Sequence, residues 1–109
     1  SRGLGDVYKR QLMKSLRETP PSEIAGVKVA TYKDYSDGTA RDAASGEVTK
    51  IALSGSNVLR FELCDGTHIV VRPSGTEPKI KVYILTKGAD ASERDANLVK
   101  YSAWVNTLA

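Results

Sequence analysis

Apolar and polar residues alternate along the middle of the chain. Residues 57–63 and 79–84 place apolar side chains at every second position, and residues 26–35 and 67–72 are rich in β-branched residues. Because successive side chains of a strand point to opposite faces of a sheet, these four segments predict strands. A short edge strand is also expected over residues 47–53, and the polar stretch 36–46 is expected to be a mobile loop.

Near both ends of the chain the apolar residues recur every three or four positions instead, which predicts helices. The first predicted helix spans residues 7–18, with Asp6 as its N-cap, and Pro20 and Pro21 lie beyond its end. The second spans residues 91–108. The stripes that we expect to pack inward are Tyr8, Leu12, Met13 and Leu16 on the first helix and Leu98, Tyr101, Val105 and Leu108 on the second.

The order helix, strands, helix predicts an α+β fold. A mostly antiparallel four-stranded sheet with both helices on one face would bury each of these stripes. Between the second and third strands, Asp65-Gly66 is typical of a type I′ hairpin turn, which requires positive φ at both central residues.

Composition narrows the possible functions. The 109 residues suffice for one domain, and 40% apolar and 27% charged residues are ordinary values for a globular protein. The net charge of +3 comes from scattered basic residues, which does not favour nucleic-acid binding. The longest apolar runs are too short to span a membrane. One cysteine, Cys64, excludes an internal disulfide; we expect a buried or half-buried thiol and a cytoplasmic location.

The candidate site is the run Arg72-Pro73-Ser74-Gly75-Thr76-Glu77-Pro78 between two predicted strands. A guanidinium can hold two phosphate oxygens at once, and hydroxyl groups of serine and threonine rotate to suit an acceptor. Glycine lets backbone N–H groups turn inward to form an anion-binding nest, and proline at both ends stiffens the loop. From residue types alone, an ordinary hairpin turn with a solvated ion pair remains the alternative.

This run, followed by Lys-Ile-Lys-Val-Tyr-Ile, resembles the phosphosugar-binding loop of the α-D-phosphohexomutases, the family of phosphoglucomutase and phosphomannomutase. Residues 12–109 are similar to the C-terminal domain of that family, and the match includes Asn57 to Leu63 and Asp65-Gly66-Thr67. Residues 1–11 do not match; we expect a lead-in that is foreign or disordered. A start at Ser1 rather than Met leads us to expect a fragment, a processed product or an engineered chain.

The resemblance implies a TATA-binding-protein-like α+β fold and a role in interconverting hexose 1-phosphate and 6-phosphate, with glucose phosphate as the favoured substrate. It assigns a binding role to Arg72, Ser74, Gly75 and Thr76: they hold the substrate phosphate that does not take part in the transfer. Glu77 is expected to orient Arg72 or the loop backbone, and Lys79, with Lys81, is expected to add positive charge or simply to be solvated. The catalytic serine and the aspartate loop for Mg²⁺ belong to N-terminal domains of the family.

The chain has no counterpart of those catalytic elements, so we expect no catalytic residue, no metal ligand and no cofactor here, and inactivity as an isolated fragment. Asp34, Asp37 and Asp42 lack the spacing of a metal site, and His68 lies in an apolar strand, where a structural role is favoured. The expected partners are a phosphosugar and the N-terminal domains of the same enzyme. A stand-alone module that binds a phosphometabolite or a protein is the alternative.

Overall fold

The computed structural model describes residues 2–108, and the side chains of residues 7–108. Within this part the chain forms two helices and seven strands. The helices are α1 (Arg2–Glu18) and α2 (Ala91–Asn106); the strands are β1 (Glu23–Ile24), β2 (Val27–Asp34), β3 (Thr39–Asp42), β4 (Val48–Lys50), β5 (Leu59–Leu63), β6 (His68–Pro73) and β7 (Ile80–Leu85).

The strands form one antiparallel sheet in the order β4-β3-β2-β5-β6-β7, with β1 paired to β2. The predicted α+β class is therefore confirmed, but the sheet has more than the four predicted strands. The expected edge strand is present as β4, and β2, β5, β6 and β7 lie where the sequence pattern predicts strands.

The prediction of a mobile loop over residues 36–46 is wrong, because this stretch contains β3. Gly38 allows a tight turn by adopting a φ of +68°, so that Thr39 pairs directly with Asp34. The polar composition was misleading because β3 is largely solvent-facing: its Arg41 and Asp42 are exposed, so no alternation of apolar residues marks the strand.

Both helices pack on the same side of the sheet. Met13 and Leu16 of α1 and Tyr101 of α2 share one core with the inward residues of the strands, which are Ile24, Val29, Leu59, Phe61, Leu63, Ile69 and Val71. The predicted stripes are thus only partly buried, since Tyr8 and Leu98 remain exposed at their edges. The opposite face of β5, β6 and β7 carries no helix. Neither helix within residues 2–108 is long and apolar enough to cross a membrane.

The observed helix boundaries differ from the predicted ones at the first helix and agree with them at the start of the second. α1 begins at Arg2 and not at residue 7, so the described residues of the expected lead-in 1–11 are helical; Ser1 and the side chain of Asp6, the predicted N-cap, lie outside the described residues. Gly3 and Gly5 lower helix propensity by about 1 kcal/mol each without ending a helix. α2 begins as predicted, with the Asp90 carboxylate accepting from the Glu93 N–H.

The hairpin between β5 and β6 is confirmed, but its turn is not type I′. Gly66 has a φ of +86°, whereas Asp65 does not have positive φ. The Gly66 N–H donates to the Leu63 carbonyl, and the Leu63 N–H donates to the Thr67 carbonyl. This is a three-residue loop with glycine in the left-handed position. Cys64 lies in this turn and is exposed, which corrects the expectation of a buried or half-buried thiol.

Candidate functional site

The candidate phosphate loop joins β6 to β7 at one end of the sheet. Pro73 ends β6 and pairs with Ile80, which begins β7. Residues 74–79 form the connection between them. The Ser74 N–H closes its base by donating to the Lys79 carbonyl at 2.9 Å. The loop is therefore a tight extension of a two-stranded ladder that is itself anchored in the core by Ile69 and Val71.

Hydrogen bonds inside the loop fix its shape. The Lys79 N–H donates to the Glu77 carbonyl at 2.8 Å. The Ser74 hydroxyl oxygen accepts from the backbone N–H groups of Thr76 and Glu77 at 3.4 and 3.2 Å. Ser74 is only 2% exposed, so its side chain lies inside the base of the loop. A loop with this much internal bonding loses less conformational entropy when a ligand binds.

Arg72 lies just before the loop and is exposed on the helix-free face of the sheet. The register places it directly opposite Lys81 of β7. Within the part of the chain that the structure describes, neither cation has an ion-pair partner. Sequence reasoning gave Lys81 only a possible contribution to the positive charge; the strand register makes it the neighbour of Arg72.

Gly75 and Thr76 are exposed at the tip of the loop. Among residues 7–108, the Gly75 N–H and the Thr76 hydroxyl have no hydrogen-bond partner. A Cβ atom built on Gly75 would meet nothing within 4 Å, and Gly75 does not have positive φ. Neither crowding nor backbone strain in the folded chain therefore requires glycine at this position.

One of the two roles predicted for Glu77 was to orient Arg72, but the Glu77 side chain does not contact Arg72. Its carboxylate lies 3.3 Å from the Lys79 ammonium instead, and both side chains are more than half exposed. Such an exposed pair contributes little to stability. The backbone of Glu77 nevertheless supports the loop, since its N–H and its carbonyl bond to Ser74 and Lys79.

Lys9 of α1 is a loop contact that the sequence did not reveal. Its ammonium donates to the carbonyls of Ser74 and Glu77 at 3.0 and 3.2 Å. No pattern in the sequence connects these residues, because they are more than 60 positions apart. Lys9 also belongs to residues 1–11, which were expected to be a foreign lead-in.

Asp34 and His68 both have structural partners. Burial raises the pKa of Asp34, but hydrogen bonds from Ser36 and Arg17 outweigh it and hold this pKa below its ordinary value. The Nδ1 atom of His68 faces the Arg60 guanidinium. Both arrangements occupy the groups that acid–base chemistry would need.

Among the described residues, no three His, Cys, Asp or Glu side chains converge to hold a metal ion. The Mg²⁺ that the resemblance implies therefore finds no ligand set in this part of the chain. Its location in another domain stays a prediction, and no step below depends on it.

The loop thus brings an exposed guanidinium, a neighbouring ammonium, a backbone N–H and a hydroxyl together in a donor-rich hairpin on an α+β domain. Comparison with known families identifies the domain. The family model for the phosphoglucomutase/phosphomannomutase C-terminal domain matches residues 12–97, which include the whole loop. The chain therefore belongs to the phosphoglucomutase/phosphomannomutase family and carries its C-terminal domain.

Individual relatives extend this result. A probable phosphomannomutase from Haemophilus influenzae is 40% identical over 98 residues, which cover 90% of this chain and 17% of the relative. A phosphoglucomutase from Staphylococcus epidermidis is 40% identical over 80 residues, and one from Staphylococcus aureus strain N315 is 42% identical over 79 residues. These two matches cover 73% and 72% of this chain and 14% of each relative. The chain thus spans less than a fifth of the length of these relatives.

Proposed function

We propose that this domain holds the phosphate of a hexose phosphate for a phosphohexomutase, with a phosphoglucomutase favoured over a phosphomannomutase, whose reacting groups lie in other domains. The observation that supports this most strongly is the pairing of Arg72 with Lys81 at the base of a preformed loop. Two cations without an ion-pair partner among the described residues, together with the Gly75 N–H and the Thr76 hydroxyl of the adjoining loop, suit a dianionic group such as a phosphate ester.

The proposed contacts divide among three kinds of donor. Arg72 offers a planar fork for two phosphate oxygens, and Lys81 offers a compact charge across the strand pair. Gly75 admits the phosphate close to the backbone, and the Thr76 hydroxyl donates to a further oxygen. Glu77 and Lys79 neutralise each other, so their contribution is to shape the loop.

The contribution to catalysis would be positioning and electrostatics. Gripping the phosphate that is not transferred fixes the distance of the reacting end of the sugar from the groups that act on it. Only donors, and no nucleophile or general base, are proposed in this loop. The isolated chain should therefore bind phosphate without turnover, and the choice of hexose should depend on residues outside it. A cytoplasmic location remains a prediction that accompanies this function.

A domain exchange tests the proposal. Residues 12–109 of this chain would replace the matching C-terminal segment of the Staphylococcus aureus phosphoglucomutase, and activity would be measured with glucose 1-phosphate. We expect the chimera to be active and its Arg72→Gln variant to lose at least tenfold in kcat/KM, since a hydrogen bond to a charged group contributes about 1.5–3 kcal/mol.

A folded chimera that is inactive, or one whose activity ignores Arg72→Gln, would contradict the proposal. That result would favour the stand-alone binding module. The matched control is Lys50→Gln on the opposite edge strand, which makes the same charge change far from the loop.

A further inference from the structure

We propose that the helix-free face of β6 and β7 is a docking surface for the N-terminal part of the same enzyme, with Tyr83 and Leu85 as its exposed apolar contacts. This inference rests on the proposed function of the neighbouring loop and adds a protein partner to it. The surface begins where the phosphate site ends, because Tyr83 and Leu85 follow Lys81 at the next two positions on the same face of β7.

Both faces of β7 carry apolar residues, but only one face is covered. The residues that pack against the core below the helices are Ile80, Val82 and Ile84. On the other face Tyr83 is 47% exposed and Leu85 is 57% exposed. The register places Tyr83 directly opposite the half-buried Val70 of β6. Val70, Tyr83 and Leu85 therefore form an apolar patch that neither described helix covers.

Charged residues border this patch on the side of β5. Arg60 lies opposite Val70, and the Glu62 carboxylate lies 3.1 Å from the Arg60 guanidinium and 2.8 Å from the Lys33 ammonium. An apolar centre with a polar border is the usual anatomy of an interface between proteins or domains. Adjacent exposed apolar side chains on an edge strand otherwise favour aggregation, so a partner that covers them is expected.

The phosphate site indicates which partner covers the patch. Two residues of a strand span about 7 Å, so Tyr83 lies within that distance of Lys81 along β7. A phosphate between Arg72 and Lys81 lies on this face, and the groups that act on its sugar must approach from the same side. In the Haemophilus influenzae and Staphylococcus aureus relatives, the matched segments are 17% and 14% of the protein. The remaining length is ample for a part that covers this face.

A second copy of the chain suits this surface less well. It would bring further cations toward Arg72 and Lys81, which already repel each other across the strand pair. Lysine on an edge strand also discourages pairing with another copy. We therefore assign the surface to the N-terminal part of the enzyme.

The first test measures amide hydrogen exchange by mass spectrometry in the chimera described above and in the isolated chain, both with saturating glucose 1-phosphate. We expect residues 80–85 to exchange at least fivefold more slowly in the chimera, because docking covers the exposed face of the edge strand. Residues 98–100 of α2, which lie on another surface, should exchange at equal rates in the two proteins.

The second test replaces the two apolar contacts together, as Tyr83→Thr with Leu85→Thr, because threonine removes apolar area and still favours a strand. In the chimera we expect kcat/KM to fall at least tenfold and the slow exchange of residues 80–85 to be lost. In the isolated chain the dissociation constant for phosphate should stay within about twofold. The matched control is Leu53→Thr with Val99→Thr, which are 69% and 71% exposed on other elements and should leave the chimera unchanged.

Equal exchange of residues 80–85 in the chimera and the isolated chain would overturn the proposal. Dimerisation of the isolated chain that Tyr83→Thr with Leu85→Thr abolishes would also overturn it, and would make a second copy the occupant. Should the double variant fail to fold, Leu85→Thr alone carries the test, with smaller expected changes. A chimera that protects residues 80–85 but has no activity would contradict the proposed function alone, because exchange reports docking without turnover.

Discussion

Arg72 and Lys81 are directly opposed residues of the antiparallel pair β6 and β7. Like charges directly opposite each other destabilise a strand pair, and in the described part of the chain no acidic side chain neutralises these two. β7 is also the edge of the sheet, where lysines discourage pairing with another chain, so Lys81 has a structural use as well. A bound dianion would remove the repulsion.

Removing the charge of Arg72 or Lys81 should therefore weaken phosphate binding without lowering the stability of the fold. We expect Arg72→Gln and Lys81→Gln to unfold at the same or a slightly higher urea concentration than the original chain, because the repulsion is relieved. Phosphate affinity should fall by about tenfold for each, since a charge-assisted hydrogen bond is lost. Urea unfolding and an NMR titration with inorganic phosphate measure the two effects.

The control for this pair is Lys50→Gln on β4, at the other edge of the sheet, which should change affinity less than twofold. Equal losses in all three variants would mean that only overall charge matters. Unfolding of Arg72→Gln at low urea would assign Arg72 to the fold.

Gly75→Ala should affect binding without harming the fold. Its Cβ would meet nothing within 4 Å, and alanine reduces the freedom of the unfolded chain, so the free energy of unfolding should stay equal or rise by up to about 1 kcal/mol. Phosphate affinity should fall, because the methyl group stands where the ligand approaches.

Gly66→Ala is the matched control for Gly75→Ala. Gly66 has a φ of +86°, so the same substitution there should destabilise the chain by about 1 kcal/mol or more. A Gly75→Ala chain that binds phosphate as tightly as the original would show that the ligand does not approach this part of the backbone.

Tyr101→Phe should weaken the junction between α2 and the β5–β6 turn. The buried Tyr101 hydroxyl donates to the Asp65 carboxylate, whose other oxygen accepts from the Thr67 N–H. Losing this bond should lower the free energy of unfolding by about 1–3 kcal/mol at pH 7. Asp65→Asn is the matched variant, because an amide oxygen still accepts a hydrogen bond.

The stability that this junction contributes should fall at both acid and alkaline pH. Burial raises the pKa of Asp65, but hydrogen bonds from Tyr101 and Thr67 outweigh it, so the folded pKa lies below the ordinary value of 3.8. Stability from this carboxylate is present above that value and is lost as pH falls through the folded pKa. Burial and Asp65 raise the pKa of Tyr101 from 10.0 to about 12, so its share is lost as pH rises from 10 to 12.

Urea unfolding at pH 3, 7 and 11 measures these two losses. Tyr101→Phe should flatten the alkaline loss and reduce the acid loss. An unchanged pH profile in this variant would mean that the hydroxyl and Asp65 are not coupled in solution.

Lys9→Gln should leave phosphate binding almost unchanged. Lys9 contacts carbonyl oxygens on the helix side of the loop and lies outside the residues that match the family. We expect the dissociation constant for phosphate to change less than twofold in an NMR titration. A tenfold loss would make Lys9 part of the site and would contradict the expectation that residues 1–11 are foreign to it.

Much of the fold was predictable because the apolar residues at alternate strand positions are the ones that are buried. Leu59, Phe61 and Leu63 all point into the core, and their alternation is visible in the sequence. β3 could not be found in this way, since a strand that is solvent-exposed leaves no apolar pattern. α1 was predicted too short because capping preference alone does not tell whether a helix begins at a candidate cap or passes through it.

The candidate site was predictable in its residues but not in its geometry. Arg72, Gly75 and Thr76 stand out by residue type, yet the inward direction of Ser74 follows from loop hydrogen bonds that only the folded chain reveals. The position of Lys81 opposite Arg72 depends on the length of the loop and the register it sets. The Lys9 contact depends on how α1 crosses the sheet, which no local pattern specifies.

The central claim is that the loop from Arg72 to Lys81 is a phosphate grip whose sugar selectivity lies elsewhere. The most direct measurement is an NMR titration of this chain with glucose 1-phosphate, glucose 6-phosphate and inorganic phosphate. We predict saturable amide shifts that are confined to residues 72–81 and similar for the three ligands, with dissociation constants near ~1 mM. Shifts centred outside this loop, or no saturable shift at ligand concentrations of roughly tens of millimolar, would contradict the claim.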